Sequence, residues 1–171
     1  MARKQASQTA HPSPPAPHSS TERTLVILKP DCVQRRLLGR ILARFEDKGL
    51  RVVALKMLHM DGALAERLYG IHKGQHFYEP LLAFMTSSPC VAVVIEGASA
   101  IPVVRAMLGA TAGTEATPGT IRGDFGLSSR LNLAHASDGT GTALREIDII
   151  FRADELFDYE LATGRWVVPP A

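Results

Sequence analysis

The sequence predicts an α/β sandwich, one sheet with helices packed on it. Short apolar, β-prone runs alternate with stretches of helical periodicity. The 171 residues suit one domain with room for a real core. Hydrophobic residues make up 46% and charged residues 21%, ordinary for a soluble globular chain, while aromatics at 6% require an aliphatic core.

Residues 1–20, MARKQASQTAHPSPPAPHSS, carry almost nothing to bury and are expected to be a disordered tail. Residues 21–171 form the expected domain. TLVILK (24–29) is a buried strand closed by a Pro30-Asp31 turn. Leu37, Leu38, Ile41, Leu42 and Phe45 fall at helical spacing over 37–48, stopped by Gly49. Residues 51–60 return to strand character. Asp61 can cap a helix over 62–71, and a second helix over 79–87 follows the break at Gly74. CVAVVIEG (90–97) is a second buried strand, and Ser99 opens a helix to 108 with Pro102 near its first turn. A loop over 109–120 holds three glycines and one proline. LNLAH (131–135) reads as a short strand, and 140–151 as the last long helix.

Charge and motifs exclude several classes. Lys and Arg number 19 against 17 acids, and two of those bases, Arg3 and Lys4, lie in the tail, so the body is neutral. That speaks against a domain driven by charge onto nucleic acid or an acidic membrane. Cys32 and Cys90 make neither a disulfide framework nor a four-ligand zinc site. No apolar run approaches the ~20 residues of a membrane span. The tail has no secretory apolar stretch, so the expected location is cytoplasmic. No phosphate-loop or dinucleotide glycine motif occurs. His72 and His76, four apart around Gly74, read as surface histidines and not as a metal pair. Arg36, Arg40, Arg44 and Lys48 form a basic helix stripe, read as a solvated face.

Three segments can carry chemistry. Lys29 ends a buried strand, where it can meet a ligand phosphate or snorkel to solvent. TPGTIRGDF (117–125) is a turn-rich loop around Arg122. In LNLAHASD (131–138), His135 stands at a strand end just before a helix that carries Glu146 at the border of its apolar stripe. A carboxylate at a core edge needs a partner, and His135 or Ser137 can supply it. A His–Glu pair fixes one imidazole tautomer and activates the free nitrogen; the alternative is a core histidine satisfied by a carboxylate.

ERTLVILKPD, PGTIRGDF and N-x-x-H-x-SD followed by REI occur in this order, and with them the chain resembles the nucleoside diphosphate kinases from Glu22 to Trp166. The resemblance implies an α+β, ferredoxin-like, four-stranded antiparallel sheet flanked by helices, with a helical pair over the active-site cleft. It implies transfer of the γ-phosphate of a nucleoside triphosphate, ATP included, to a nucleoside diphosphate, which maintains triphosphate pools. The path is ping-pong, through phospho-His135. By the same resemblance Glu146 orients that histidine, Ser137 joins the pair, and Tyr69 lies close by. Lys29 and Asn132 hold the ribose 3′-hydroxyl and neighbouring phosphate. Arg105, Thr111 and Arg122 bind the β- and γ-phosphates, and the base stacks on Phe77. Magnesium is implied as cofactor, held by the nucleotide phosphates and not directly by the protein. Stacking without base-edge hydrogen bonds reads any base about equally.

The chain departs from the family's usual glycines at Cys32, Arg36 and Ala136, and has Gly113 where many members carry a loop proline. The implied assembly is a homohexamer in preference to a tetramer, because the tail over 158–171, with Trp166, Val167 and Val168, calls for burial on the body or a neighbour. A glycine at 113 suggests a floppier loop and a weaker trimer contact. An RNA-binding module is disfavoured by aliphatic strands, and an idle regulator by the full set of matched residues. A regular strand over 131–135 would point Asn132 and His135 to opposite faces, so both reach one cleft only if the strand bends between them.

Overall fold

The computed structural model describes residues 21–167, so the expected disordered tail and Val168 lie outside the described residues. The chain runs β1 (Glu22–Leu28), α1 (Pro30–Gln34), α2 (Leu38–Asp47), β2 (Arg51–Leu58), α3 (Gly62–Tyr69), α4 (Tyr78–Met85), β3 (Cys90–Gly97), α5 (Ala100–Leu108), α6 (Ile121–Phe125), β4 (Ala134–Ala136) and α7 (Thr140–Ile150), with short 3-10 turns beside these. The four strands form one sheet in the order β2-β3-β1-β4, every pair antiparallel. This is the ferredoxin-like arrangement with flanking helices.

Helices cover both faces, which is why the inner strands β1 and β3 are continuously buried runs, whereas the edge strand β2 is exposed at Leu55 and Met57. Val26 and Leu28 point to one core with Ile41, Phe45 and Val104. Leu25 and Ile27 point to the other, with Leu68, Tyr69, Met85, Ile147 and Ile150. Asp61 caps α3 as expected, its carboxylate accepting from Leu64 N at 2.7 Å.

Two short helices replace expected turns. Pro30, expected in a turn, is the first residue of α1, where a missing N–H costs nothing. Arg122, expected in a loop, lies in α6, whose cap is Thr120, accepting from Gly123 N at 3.1 Å. The stripe expected as a solvated face is partly a clamp on that helix. Arg40 and Arg44 place their guanidinium carbons 4.5 and 5.1 Å from the Phe125 ring centre, and Arg44 pairs with Asp124.

Beyond α7 the chain returns to the free edge of β2. Val53 sits at a bulge in the β2–β3 register, and its carbonyl accepts from Phe157 N at 2.8 Å. Tyr159 donates its hydroxyl to Val52 O at 2.7 Å. Buried Glu96 takes Arg23 at 2.6 Å on one oxygen and Arg51 on the other, and Arg51 reaches on to Asp158 at 3.6 Å. The tail is thus laid on the body through its first residues, while Trp166 remains 78% exposed in the single chain.

Candidate active site

A cleft of 690 Å³ opens between the α3–α4 pair and the end of the sheet at β4, large enough for a nucleotide-sized ligand. Its lining includes Lys29, Tyr69, Phe77, Arg105, Thr111, Arg122, Asn132, His135 and Glu146. Of the residues singled out in the sequence, Ser137 alone is set behind the wall, fully buried beside Glu146.

His135 lies opposite Ile27 in the β1–β4 register, so it faces the layer that holds Tyr69 and α7. On α7 the border position of Glu146 brings its carboxylate to this end of the sheet. His135 Nε2 and Glu146 Oε2 are 2.9 Å apart, and Ser137 Oγ donates to the same oxygen at 2.7 Å. Ser137 in turn accepts from Leu25 N at 3.3 Å. Burial pushes the Glu146 carboxyl up, but its hydrogen bond and charge contact with His135, the Ser137 bond and the Arg145 charge together hold it below the usual carboxylate range. An ionised carboxylate only accepts, so Nε2 carries a proton, and in the neutral ring the lone pair is on Nδ1. The Tyr69 ring meets the imidazole edge-on, centroids 5.7 Å apart at 88°. Its hydroxyl is buried without a hydrogen-bond partner, and burial, followed by Cys90 and Glu146, raises its pKa and keeps the proton on.

The expected strand over 131–135 is shorter and shifted, Ala134–Ala136, and the reason answers the geometric difficulty at Asn132. Leu133 has φ +72°, a left-handed conformation that costs a non-glycine residue about 1–2 kcal/mol. Its burial, the bond from Leu133 N to Asp31 Oδ2 at 3.1 Å and the bond from Lys29 N to Leu133 O at 2.9 Å hold it there. The kink lets Asn132 and His135 line the same cleft. Asn132 Oδ1 accepts from Lys29 Nζ at 2.7 Å, and Asn132 Nδ2 donates to Thr111 O and Ser129 O at 3.1 and 2.9 Å. Asp31, absent from the sequence-based set, supports both Leu133 and the charge on Lys29. Its sequence signals are its place in the turn after Lys29 and at the end of the matching segment ERTLVILKPD.

Lys29 is buried, and its pKa falls to about 8 because of that burial, with Arg122 adding to the fall and Asp31 opposing it. Arg122 is lowered by burial and then by Arg105. Its guanidinium donates to the carbonyls of Asn132, Gly109 and Ala134 at 3.1, 3.0 and 2.6 Å. Arg122 disfavours the charge on Lys29 and Arg105 that on Arg122, so an anion in the cleft relieves a repulsion already present.

The loop that carries Thr111 is fixed by close backbone contact. A Cβ on Gly113 would lie 2.3 Å from the Gly126 carbonyl carbon, and one on Gly123 would lie 2.1 Å from Thr117 O. The chain at Gly113 is thus packed tightly against Gly126 in this structure. On the opposite wall His72 and His76 flank the Phe77 ring, each with its centroid 5.5 Å away. Both line the cleft, His76 exposed and His72 half-buried. Ser129, Arg130, Asp138 and Thr142 also line it and were missed, because isolated polar residues in loops carry no periodic signal.

The family model described as nucleoside diphosphate kinase matches residues 22–156. A nucleoside diphosphate kinase of Staphylothermus marinus is 53% identical over 140 residues, covering 82% of this chain and 99% of its own length. That of Pelotomaculum thermopropionicum is 51% identical over 146 residues, covering 85% and 98%. Among solved structures, a halophilic nucleoside diphosphate kinase from Halobacterium salinarum in complex with CDP superposes with a TM-score of 0.85 at 45% identity, covering 86% of this chain and 98% of that one.

Proposed function

The chain belongs to the nucleoside diphosphate kinase family and is an enzyme of nucleotide phosphate transfer, and from that premise we propose that residues 21–171 act as its catalytic domain, with a phosphohistidine at His135 as the intermediate. The observation that carries this reading is the Glu146 contact to His135 Nε2, which leaves Nδ1 as the nucleophile on a side chain that lines the cleft. The Nδ1 lone pair attacks the γ-phosphorus, the bond to the bridging oxygen breaks, and the nucleoside diphosphate leaves. In the second half a terminal phosphate oxygen of another diphosphate attacks, the N–P bond breaks, and the imidazole is restored.

Phosphoryl transfer asks for in-line positioning and fixed charge more than for covalent help. Lys29 and Asn132, already bonded to each other, hold the ribose 3′-hydroxyl and adjacent phosphate. Arg105, Thr111 and Arg122 bind the β- and γ-phosphates, and Tyr69 offers its unpartnered hydroxyl beside the imidazole. Glu146, supported by Ser137, keeps the tautomer and stabilises the charged ring. Phe77 stacks on the base, so every base is accepted.

Among the described residues no three His, Cys, Asp or Glu side chains gather as a metal site. Asp138 and Glu146 are the carboxylates in the cleft lining, and Glu146 is engaged with His135. This donor set fits magnesium carried on the phosphates of the substrate, where it neutralises charge during transfer.

We further take the assembly to be a hexamer, in keeping with the exposed Trp166 and with Leu127, which is 85% exposed beyond α6. Light scattering at micromolar protein is expected to give about six times 18.5 kDa; one or four times that mass would reject it.

The reaction is tested by incubation with γ-labelled ATP. Acid-labile label should appear on the protein and be discharged by any nucleoside diphosphate. Label that is acid-stable, or that stays on the protein when diphosphate is added, would overturn the reading.

A further inference from the structure

We propose that Arg130 reads the base edge and gives this enzyme a preference for guanine nucleotides over cytosine and adenine ones. The inference rests on the nucleotide site described above and adds a base contact to it.

Arg130 is exposed, lines the cleft with Phe77, and its guanidinium has no hydrogen-bond or ion-pair partner among the described residues. Its backbone is nonetheless fixed. Arg130 N and Leu131 N both donate to Ser128 Oγ, at 3.1 and 3.2 Å, which closes a tight turn. That turn is tied to the floor of the cleft, because Asn132 Nδ2 donates to Ser129 O at 2.9 Å while Asn132 Oδ1 accepts from Lys29. The fork therefore swings from an anchored base.

The other cations of the cleft already have a use. Lys29, Arg105 and Arg122 surround the place where phosphates must lie for His135 to attack. A nucleotide held there extends its base outward to Phe77, which is 38% exposed and shares the cleft lining with the exposed Ser129 and Arg130. What Arg130 meets there is the edge of a base and not a phosphate.

A guanidinium only donates, and donates as a planar fork. Guanine offers two adjacent acceptors, O6 and N7, that match the fork. Adenine and cytosine put an amino group at the equivalent corner, which faces a donor with a donor. Uracil and thymine offer one carbonyl and fall between. At an exposed rim the advantage belongs near the lower end of what a bidentate pair gives, about 3- to 10-fold.

The test compares kcat/KM for GDP, ADP and CDP as acceptors from one common donor, for the full chain, R130A and R130K. The wild type should favour GDP by about 3- to 10-fold. R130A should lose that advantage while CDP use stays unchanged. R130K keeps the charge and its donors without the planar fork, so it should retain only part of the guanine advantage. Equal use of the three acceptors by the wild type would overturn the inference. So would an equal fall for all three in R130A, which would make Arg130 a phosphate contact. Absence of transfer by the wild type would sink the kinase reading together with this one, whereas transfer without base preference would sink this one alone.

Discussion

At the floor of the cleft, His135, Ser137, Glu146, Lys29 and Asn132 are tied to one another or to backbone by bonds of 2.7 to 3.3 Å. At the rim, Phe77 and Arg130 are exposed, and Arg105 is a third exposed group facing the same space. The contrast matches what each end must do. The reacting atoms are the same for every substrate, so the floor gains from fixed geometry and from dipoles that need not reorganise. The base varies, so the rim gains from side chains that can adjust. Leu133 shows the cost of the fixed end: a buried residue is held left-handed so that the floor can form.

The largest effect should come from the floor. His135→Ala removes the nucleophile and should cut turnover by orders of magnitude with the fold intact. Turnover above about a tenth of wild type would refute the mechanism. Arg105→Ala tests the boundary between floor and rim. Loss of a phosphate-facing charge should lower transfer by ~10²–10³ with all nucleotides alike. A loss confined to purines or to pyrimidines would move Arg105 to the base end.

The third prediction is a pH profile. Lys29 titrates at about 8, first because it is buried and then because of Arg122. The free enzyme should therefore lose kcat/KM as pH rises through about 8, when the cation is neutralised. Stability moves the other way. With a folded pKa of about 8 and a usual value of 10.5, the unfolded chain binds more protons between these values, so this group's contribution to stability increases with pH across that window. Lys29→Arg, which does not titrate in this range, should flatten the alkaline limb of the rate profile. An unchanged limb would assign it to another group.

The smallest effect lies outside the cleft. Arg36 occupies a left-handed position, φ +58°, that favours glycine. Arg36→Gly should relieve the strain, partly offset by a more flexible unfolded chain, for a net gain of about 0.5–1 kcal/mol. Melting should shift upward by ~1–4 °C with activity unchanged. A drop in melting temperature would mean that Arg36 makes contacts worth more than its strain.

Much of this contrast was legible before any coordinates. The long elements were, because runs such as 90–97 and the Asp61 cap are local signals. Glu146 was placed at a stripe border by its helical phase alone, and its partners His135 and Ser137 followed from the need to satisfy a carboxylate there. Lys29 and Arg122 were marked by a strand end and a turn-rich loop, whereas Tyr69, Phe77, Arg105, Thr111 and Asn132 came from the family resemblance, since nothing local relates residues so far apart in sequence. The bend at Leu133 was required by geometry, but its location depends on Asp31, about a hundred positions away. The α6 helix was hidden because five residues carry too little periodicity, and its stability comes from Thr120 and the Arg40–Arg44 clamp. The close approach of Gly126 to Gly113 could not be read from the sequence, because it is a tertiary fact.

The central claim is that Glu146 commits one imidazole nitrogen of His135 and leaves the other to react. Phosphorus NMR of the enzyme phosphorylated by ATP, with authentic phosphohistidine isomers as standards, tests it most directly. Phosphate on Nδ1 of His135 is the expected result, with no signal from H135A. Phosphate on Nε2, or on any other residue, would contradict the account, because the 2.9 Å contact to Glu146 would then have to break before the reaction could start.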